Sequence, residues 1–169
     1  MKVIFSHGKE SGPWGSKIKA LANVAEQLGC EVDSIDYSGI ASPDKRVQKL
    51  REYLFTETEP YLLIGSSMGG YVSLVSAQSA NCQSEKLRGI FLLAPALYMQ
   101  GYEVQSYDHG LINVEIIHGW SDDVIPAEHS IKYAQKSQCS LHLIDGDHRL
   151  NSSLARVIEL FRLFLKSVL

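Results

Sequence analysis

Cysteine is scarce in this sequence, and the little there is does not cluster. Cys30, Cys82 and Cys139 lie far apart with no C-x-x-C pair. That spacing argues against a disulfide framework or a structural zinc site. They read as small core or surface thiols in a reducing compartment. Long apolar runs are missing as well. None approaches the ~20 residues that a membrane helix needs, so no membrane partner is expected. The first apolar run, Val3-Ile4-Phe5, is too short for a signal peptide and reads as a strand. A cytoplasmic location is the expectation. Neither sign of charge dominates: Lys and Arg number 16 against 19 Asp and Glu, for a net charge of −3. A chain without a basic field is a poor nucleic-acid partner. Internal repeats, low-complexity tracts and linkers are absent too. The 169 residues, 45% of them hydrophobic, suit one domain over residues 1–169 with a core of ordinary size.

What the chain does have is a regular alternation of short apolar runs and helical patterns. The runs Lys2–Ser6, Glu31–Tyr37, Tyr61–Ser66, Gly89–Leu93, Val114–His118 and Leu141–Asp145 predict strands. Most are nearly continuous in Val, Ile, Leu and Phe, as in a parallel sheet buried on both faces. Helices are predicted over Ser16–Leu28, which stops at Gly29, and over Pro43–Phe55, Tyr71–Ala80 and Pro126–Lys136. The last, Ser152–Val168, carries Leu154, Val157, Ile158, Phe161, Phe164, Leu165 and Val168 on one stripe that packs on the sheet. The pattern predicts a three-layer α/β fold, with helices on both faces of a mostly parallel six-stranded sheet. Residues 94–113 read as a long loop with a short helix in it.

One turn in this pattern carries chemistry. Gly65-Ser66-Ser67-Met68-Gly69 is a G-x-S-x-G run between a strand and a helix, the form of a nucleophile elbow. A turn that tight brings its flanking positions into collision unless both are Gly. It pushes the Ser67 hydroxyl out of the sheet and leaves the Met68 N–H at a helix N-terminus facing the same spot. A serine hydroxyl needs a base, and the base needs a carboxylate to hold its tautomer. In parallel sheets such groups gather beyond the C-terminal ends of strands. His148 follows the strand Leu141–Asp145, with Gly146 allowing a sharp turn. Asp122 follows the strand Val114–His118. The order Ser67, Asp122, His148 is that of α/β-hydrolases.

Over nearly its whole length the chain resembles the α/β-hydrolase superfamily, in its small branch of esterase-like serine hydrolases with little or no cap. The segment His118-Gly119-Trp120-Ser121-Asp122-Asp123-Val124-Ile125-Pro126 is similar to the family's H-G-x-x-D-x-x-V-P element, with Ile125 for Val. That alignment selects Asp122 over Asp123. The early element His7-Gly8-Lys9-Glu10 matches the family's H-G loop, which implies a second oxyanion donor, the backbone N–H of Lys9 or, as second choice, of Glu10. The full family sheet has eight strands. Six here, lacking the first two, imply the order 2-1-3-4-5-6 and an open site.

The resemblance implies a serine hydrolase cleaving a small-molecule ester or thioester through an acyl-enzyme on Ser67, with no cofactor and no metal. Asp145 and Asp147 beside His148 offer a weak alternative as metal ligands. Asp147 reads equally as a cap for the final turn. His7 and His118 read as strand-end residues bonding loop backbone. Trp14 and Trp120, next to the H-G and acid loops, and Tyr98 in the long loop are candidates for lining a substrate pocket. Core packing is the competing role for the two tryptophans. Peptidase or acyltransferase chemistry would use the same residues, and a non-catalytic or weakly active binding or regulatory module could keep the scaffold. The sequence carries no statement of oligomeric state.

Overall fold

The computed structural model describes residues 1–78 and 85–169. Its elements run β1 (Lys2–Ser6), α1 (Ser16–Gln27), β2 (Glu31–Ile35), α2 (Pro43–Thr56), β3 (Tyr61–Ser66), α3 (Met68–Ala77), β4 (Leu87–Leu93), β5 (Val114–Gly119), α4 (Ala127–Ser137), β6 (Ser140–Ile144) and α5 (Leu154–Val168). The strands form one sheet in the order β2-β1-β3-β4-β5-β6. Every pairing is parallel.

Alternation along the strands splits the apolar side chains between two cores. Val3, Phe5, Leu62, Ile64, Phe91, Leu93 and Ile117 face α1 and α5. Ile4, Leu63, Ile90, Leu92 and Ile116 face α2, α3 and α4. Both faces are therefore covered, which is why the central strands read as unbroken apolar runs. On α5 the buried residues are Val157, Leu160, Phe161, Phe164 and Leu165. The Phe161 and Phe164 rings sit 5.1 and 5.2 Å from that of Phe91. Leu160 thus joins the stripe, while Leu154 lies only at its edge.

Several boundaries differ from the sequence pattern for local reasons. β2 stops at Ile35 because its partner β1 stops at Ser6, and the Tyr37 amide instead donates to His7 Nε2 at 2.9 Å. β4 begins at Leu87, not Gly89, since Tyr61 pairs there across a register shift. α3 begins at Met68, not Tyr71, so Gly69 and Gly70 lie in its first turn. The predicted end of that helix at Ala80, and Cys82, lie outside the described residues. Residues 94–113 form no helix. The loop is pinned instead by tyrosines. Tyr107 is buried and its hydroxyl accepts from the Tyr98 amide. The Tyr71 hydroxyl accepts from the Val104 amide, and the Tyr71 and Tyr102 rings meet edge-on at 4.7 Å.

Candidate active site

The turn between β3 and α3 is where local geometry is most constrained. Ser67 has φ 55° and ψ −120°, a backbone conformation that costs a non-glycine residue on the order of 1–3 kcal/mol and persists only where its surroundings enforce it. Here they do. The Ser67 N–H donates to Leu93 O at 2.9 Å, and Ser67 O accepts from the amides of Gly70 and Ala96 at 2.9 and 3.0 Å. A Cβ on Gly65 would lie 2.3 Å from Gly69 O, and one on Gly69 would lie 1.9 Å from Ser6 O. Both contacts are with backbone, so neither side chain could be accommodated by a rotamer change.

The structure brings Ser67, Asp122 and His148 together from the C-terminal ends of β3, β5 and β6. His148 Nε2 is 3.0 Å from Ser67 Oγ, and its Nδ1 is 2.8 Å from Asp122 Oδ2. A carboxylate can only accept, so His148 carries its proton on Nδ1, and Nε2 is left to accept from the Ser67 hydroxyl. The Asp122 side chain is fully buried, and that of His148 is 18% exposed. Burial by itself would raise the Asp122 carboxyl. The amides of Ile125 and Val124 and the His148 ring outweigh it and hold the group below the usual carboxylate range. Those amides donate to Oδ1 at 2.8 and 2.9 Å. Asp123, its neighbour, is exposed.

His118 bonds loop backbone at its strand end, as expected, and also reaches the Asp122 carboxylate, which the sequence pattern does not indicate. His118 Nε2 lies 2.9 Å from Ile125 O and 3.0 Å from Asp122 Oδ2. Its Nδ1 is 2.7 Å from Ser130 Oγ. Since Ile125 O only accepts, His118 is protonated on Nε2, and the Ser130 hydroxyl donates to Nδ1. Burial holds the His118 pKa below its ordinary value, so the ring stays neutral. Asp122 Oδ2 is thus met by two imidazoles, the partly exposed ring of His148 and the buried ring of His118.

In the turn carrying His148 the expected cap is present, but the expected role of Gly146 is not. Gly146 does not take positive φ. Leu150 does, at 57°, and its amide donates to Asp147 Oδ1 at 2.9 Å, so Asp147 caps this turn. The position that must be glycine is Gly119, where a Cβ would meet Gly146 O at 2.2 Å. This close approach seats the Asp122 loop on the His148 turn, and the Ser121 amide donates to Gly146 O. Lys17, on α1, donates to Arg149 O at 2.8 Å, and burial brings its pKa down to about 8.

On the other side of Ser67 lies the loop after β1. A Cβ on Gly8 would come within 3.5 Å of Ser67 Cβ, so the H-G loop is the near neighbour of the elbow. His7 is buried, its Nδ1–H donating to Gly8 O at 2.7 Å and its Nε2 accepting from Tyr37. Lys9 and Glu10 are exposed. The pocket candidates are not assembled into an enclosed cavity. Trp14 is 41% and Trp120 62% exposed, which removes the core-packing role for both. The Tyr98 ring meets Tyr107 edge-on at 5.0 Å and lies under Lys132 Nζ at 4.0 Å.

Comparison with known proteins places the fold. The profile of the uncharacterised protein family UPF0227 matches residues 2–103. A protein of Xanthomonas campestris assigned to the α/β hydrolase superfamily superposes with a TM-score of 0.86 at 31% identity, over 98% of both chains. Mouse α/β hydrolase domain-containing protein 10 superposes at 0.76 with 19% identity, over 99% of this chain and 90% of that one. Est1E of Butyrivibrio proteoclasticus does so at 0.77 with 18% identity, over 98% and 87%. These last two share the fold alone. A search of curated protein sequences finds no match. With its profile match and a near full-length relative, the chain belongs to family UPF0227 and to the α/β hydrolase superfamily.

Proposed function

We propose that the protein is a serine hydrolase that cleaves a small-molecule carboxylic ester or thioester. The observation that carries this reading is the continuous relay from the Ser67 hydroxyl to His148 Nε2 and from His148 Nδ1 to Asp122, at 3.0 and 2.8 Å. Ser67 Oγ attacks the acyl carbon while His148 takes the hydroxyl proton. Asp122 stabilises the imidazolium. The carbonyl oxygen gains negative charge and is held by the Met68 and Lys9 N–H groups. The tetrahedral species collapses, the C–O or C–S bond to the leaving group breaks, and His148 delivers the proton to the departing atom. Water, deprotonated by the same ring, then attacks the acyl-enzyme, and Ser67 leaves with the proton returned.

Trp14 and Trp120, exposed on the loops that carry the H-G element and Asp122, suit short or flat acyl groups that need no deep tunnel. Est1E has been solved with ferulic acid bound, and an aryl acid ester therefore belongs among the compounds tried. The test is a panel of p-nitrophenyl esters of rising chain length, methyl ferulate and acyl-CoA thioesters. Turnover of at least one ester or thioester that disappears in Ser67→Ala supports the reading. No turnover of any, by a folded protein, would favour a binding module on this scaffold.

A further inference from the structure

Arg46 on α2 is 3% exposed, and among the described residues it forms no ion pair. A guanidinium stays charged in any protein, and burying one without a carboxylate is tolerated only if its donors are otherwise satisfied. Two of its three nitrogens donate to backbone carbonyls. Nε donates to Ile40 O at 2.7 Å, and Nη1 donates to Gly8 O at 3.1 Å and His7 O at 3.3 Å. Its flat face lies over the Tyr37 ring, 5.3 Å from the centroid. Tyr37 is the residue whose amide fixes His7.

Gly8 O therefore receives two donors, Arg46 Nη1 and His7 Nδ1. That carbonyl belongs to the same planar trans peptide as the Lys9 N–H. Fixing the oxygen fixes the amide hydrogen, which points the opposite way, away from Arg46. Donors on the carbonyl also draw charge from the nitrogen and strengthen its N–H as a donor. The side of Gly8 that lacks a side chain faces Ser67.

We infer that Arg46, acting with His7, is a positioning residue that orients and polarises the Gly8–Lys9 peptide so that the Lys9 N–H serves as the second oxyanion donor. This rests on the serine-hydrolase reading and also resolves the choice between Lys9 and Glu10 in favour of Lys9. Arg46 touches no reacting atom. Its effect passes through one peptide plane.

The test is Arg46→Met and Arg46→Lys in the full chain, each followed by the ¹⁵N–¹H resonance of Lys9 and by ester kinetics. The Lys9 amide nitrogen is expected to move upfield in both, with Glu10 changing less. The kcat should fall about tenfold to a hundredfold with KM unchanged, less than the roughly 10²–10³ that follows outright loss of a donor. Arg46→Lys keeps the charge and guards against a Met variant that fails to fold. Folded variants with an unmoved Lys9 resonance, or with wild-type kcat, would overturn the inference. If the wild-type protein turned over no ester or thioester, the functional reading would fall. The Lys9 resonance would still decide whether Arg46 holds the peptide.

Discussion

Replacing Asp122 by Asn tests the relay with a direction set by the structure. Oδ1 accepts from two amides, Val124 and Ile125, at 2.9 and 2.8 Å. An Asn side chain keeps those bonds only by placing its own oxygen there. Its NH₂ then occupies the site of Oδ2, 2.8 Å from His148 Nδ1. An NH₂ can only donate, so His148 is forced to accept at Nδ1 and to carry its proton on Nε2. That tautomer cannot take a proton from Ser67 Oγ. The expected loss in kcat is about 10⁴-fold, or about 5 kcal/mol of barrier, from a change of one atom. The fold is expected to survive, since both loop amides stay satisfied and the His118 Nε2–H keeps Ile125 O as its acceptor at 2.9 Å. The assay is the rate of p-nitrophenol release under single-turnover conditions, alongside Asp123→Asn as a control that should leave the rate within about twofold, as surface changes do. Retention of a tenth of wild-type activity by Asp122→Asn would refute the tautomer argument. So would a matching loss in Asp123→Asn.

Two further outcomes concern stability. Both Ser67→Ala and Ser67→Gly remove the hydroxyl, so their difference isolates the strain at φ 55°. Glycine ordinarily costs roughly 0.5–1 kcal/mol against alanine, but relief of about 1–3 kcal/mol should reverse the order and make the Gly variant the more stable by about 1 kcal/mol in urea unfolding. An Ala variant equal or superior would show that the elbow is not strained. The second outcome is acid sensitivity. Burial depresses the pKa of both His7 and His118 in the folded state. Below the unfolded His value of about 6.5 the denatured chain binds protons that the native one refuses, so stability rises with pH across that window by up to about 1.4 kcal/mol per unit for each group. Glu115, pushed up by burial, acts in the opposite sense, leaving the two histidines in excess. Asp122, held low, adds a loss at still lower pH as its carboxylate is protonated. The urea midpoint should therefore fall between pH 7.5 and 5.5, and a constant or rising midpoint would contradict the neutral assignment of the two rings.

The sheet order and the residues at its C-terminal rim were legible because they rest on strong, local signals. Continuous apolar runs at the central strands report burial on both faces, and the G-x-S-x-G spacing reports a turn whose glycines meet backbone. What could not be read were features that depend on packing across distant segments. Arg46 looks like any charged residue of an amphipathic helix, and only the approach of the His7–Gly8 loop to α2 makes its guanidinium a backbone clamp. His118 sits four residues before Asp122, but its grip on that carboxylate needs the chain to double back so that Ile125 O faces the ring. Gly119 stands in the sequence as one residue of a motif, and the contact that forbids its side chain comes from another loop. Helix α3 starts earlier than its apolar pattern because two glycines, poor helix formers, are required there by close approach rather than by propensity.

The relay's central consequence is a serine far more reactive than any other in the chain. Incubation with a fluorophosphonate probe, followed by peptide mass spectrometry, reads this directly. A single phosphonyl adduct on the peptide containing Ser67, absent in Ser67→Ala and strongly slowed in Asp122→Asn, is the expected result. A folded wild-type protein that stays unmodified, or that is modified equally at other serines, would contradict it.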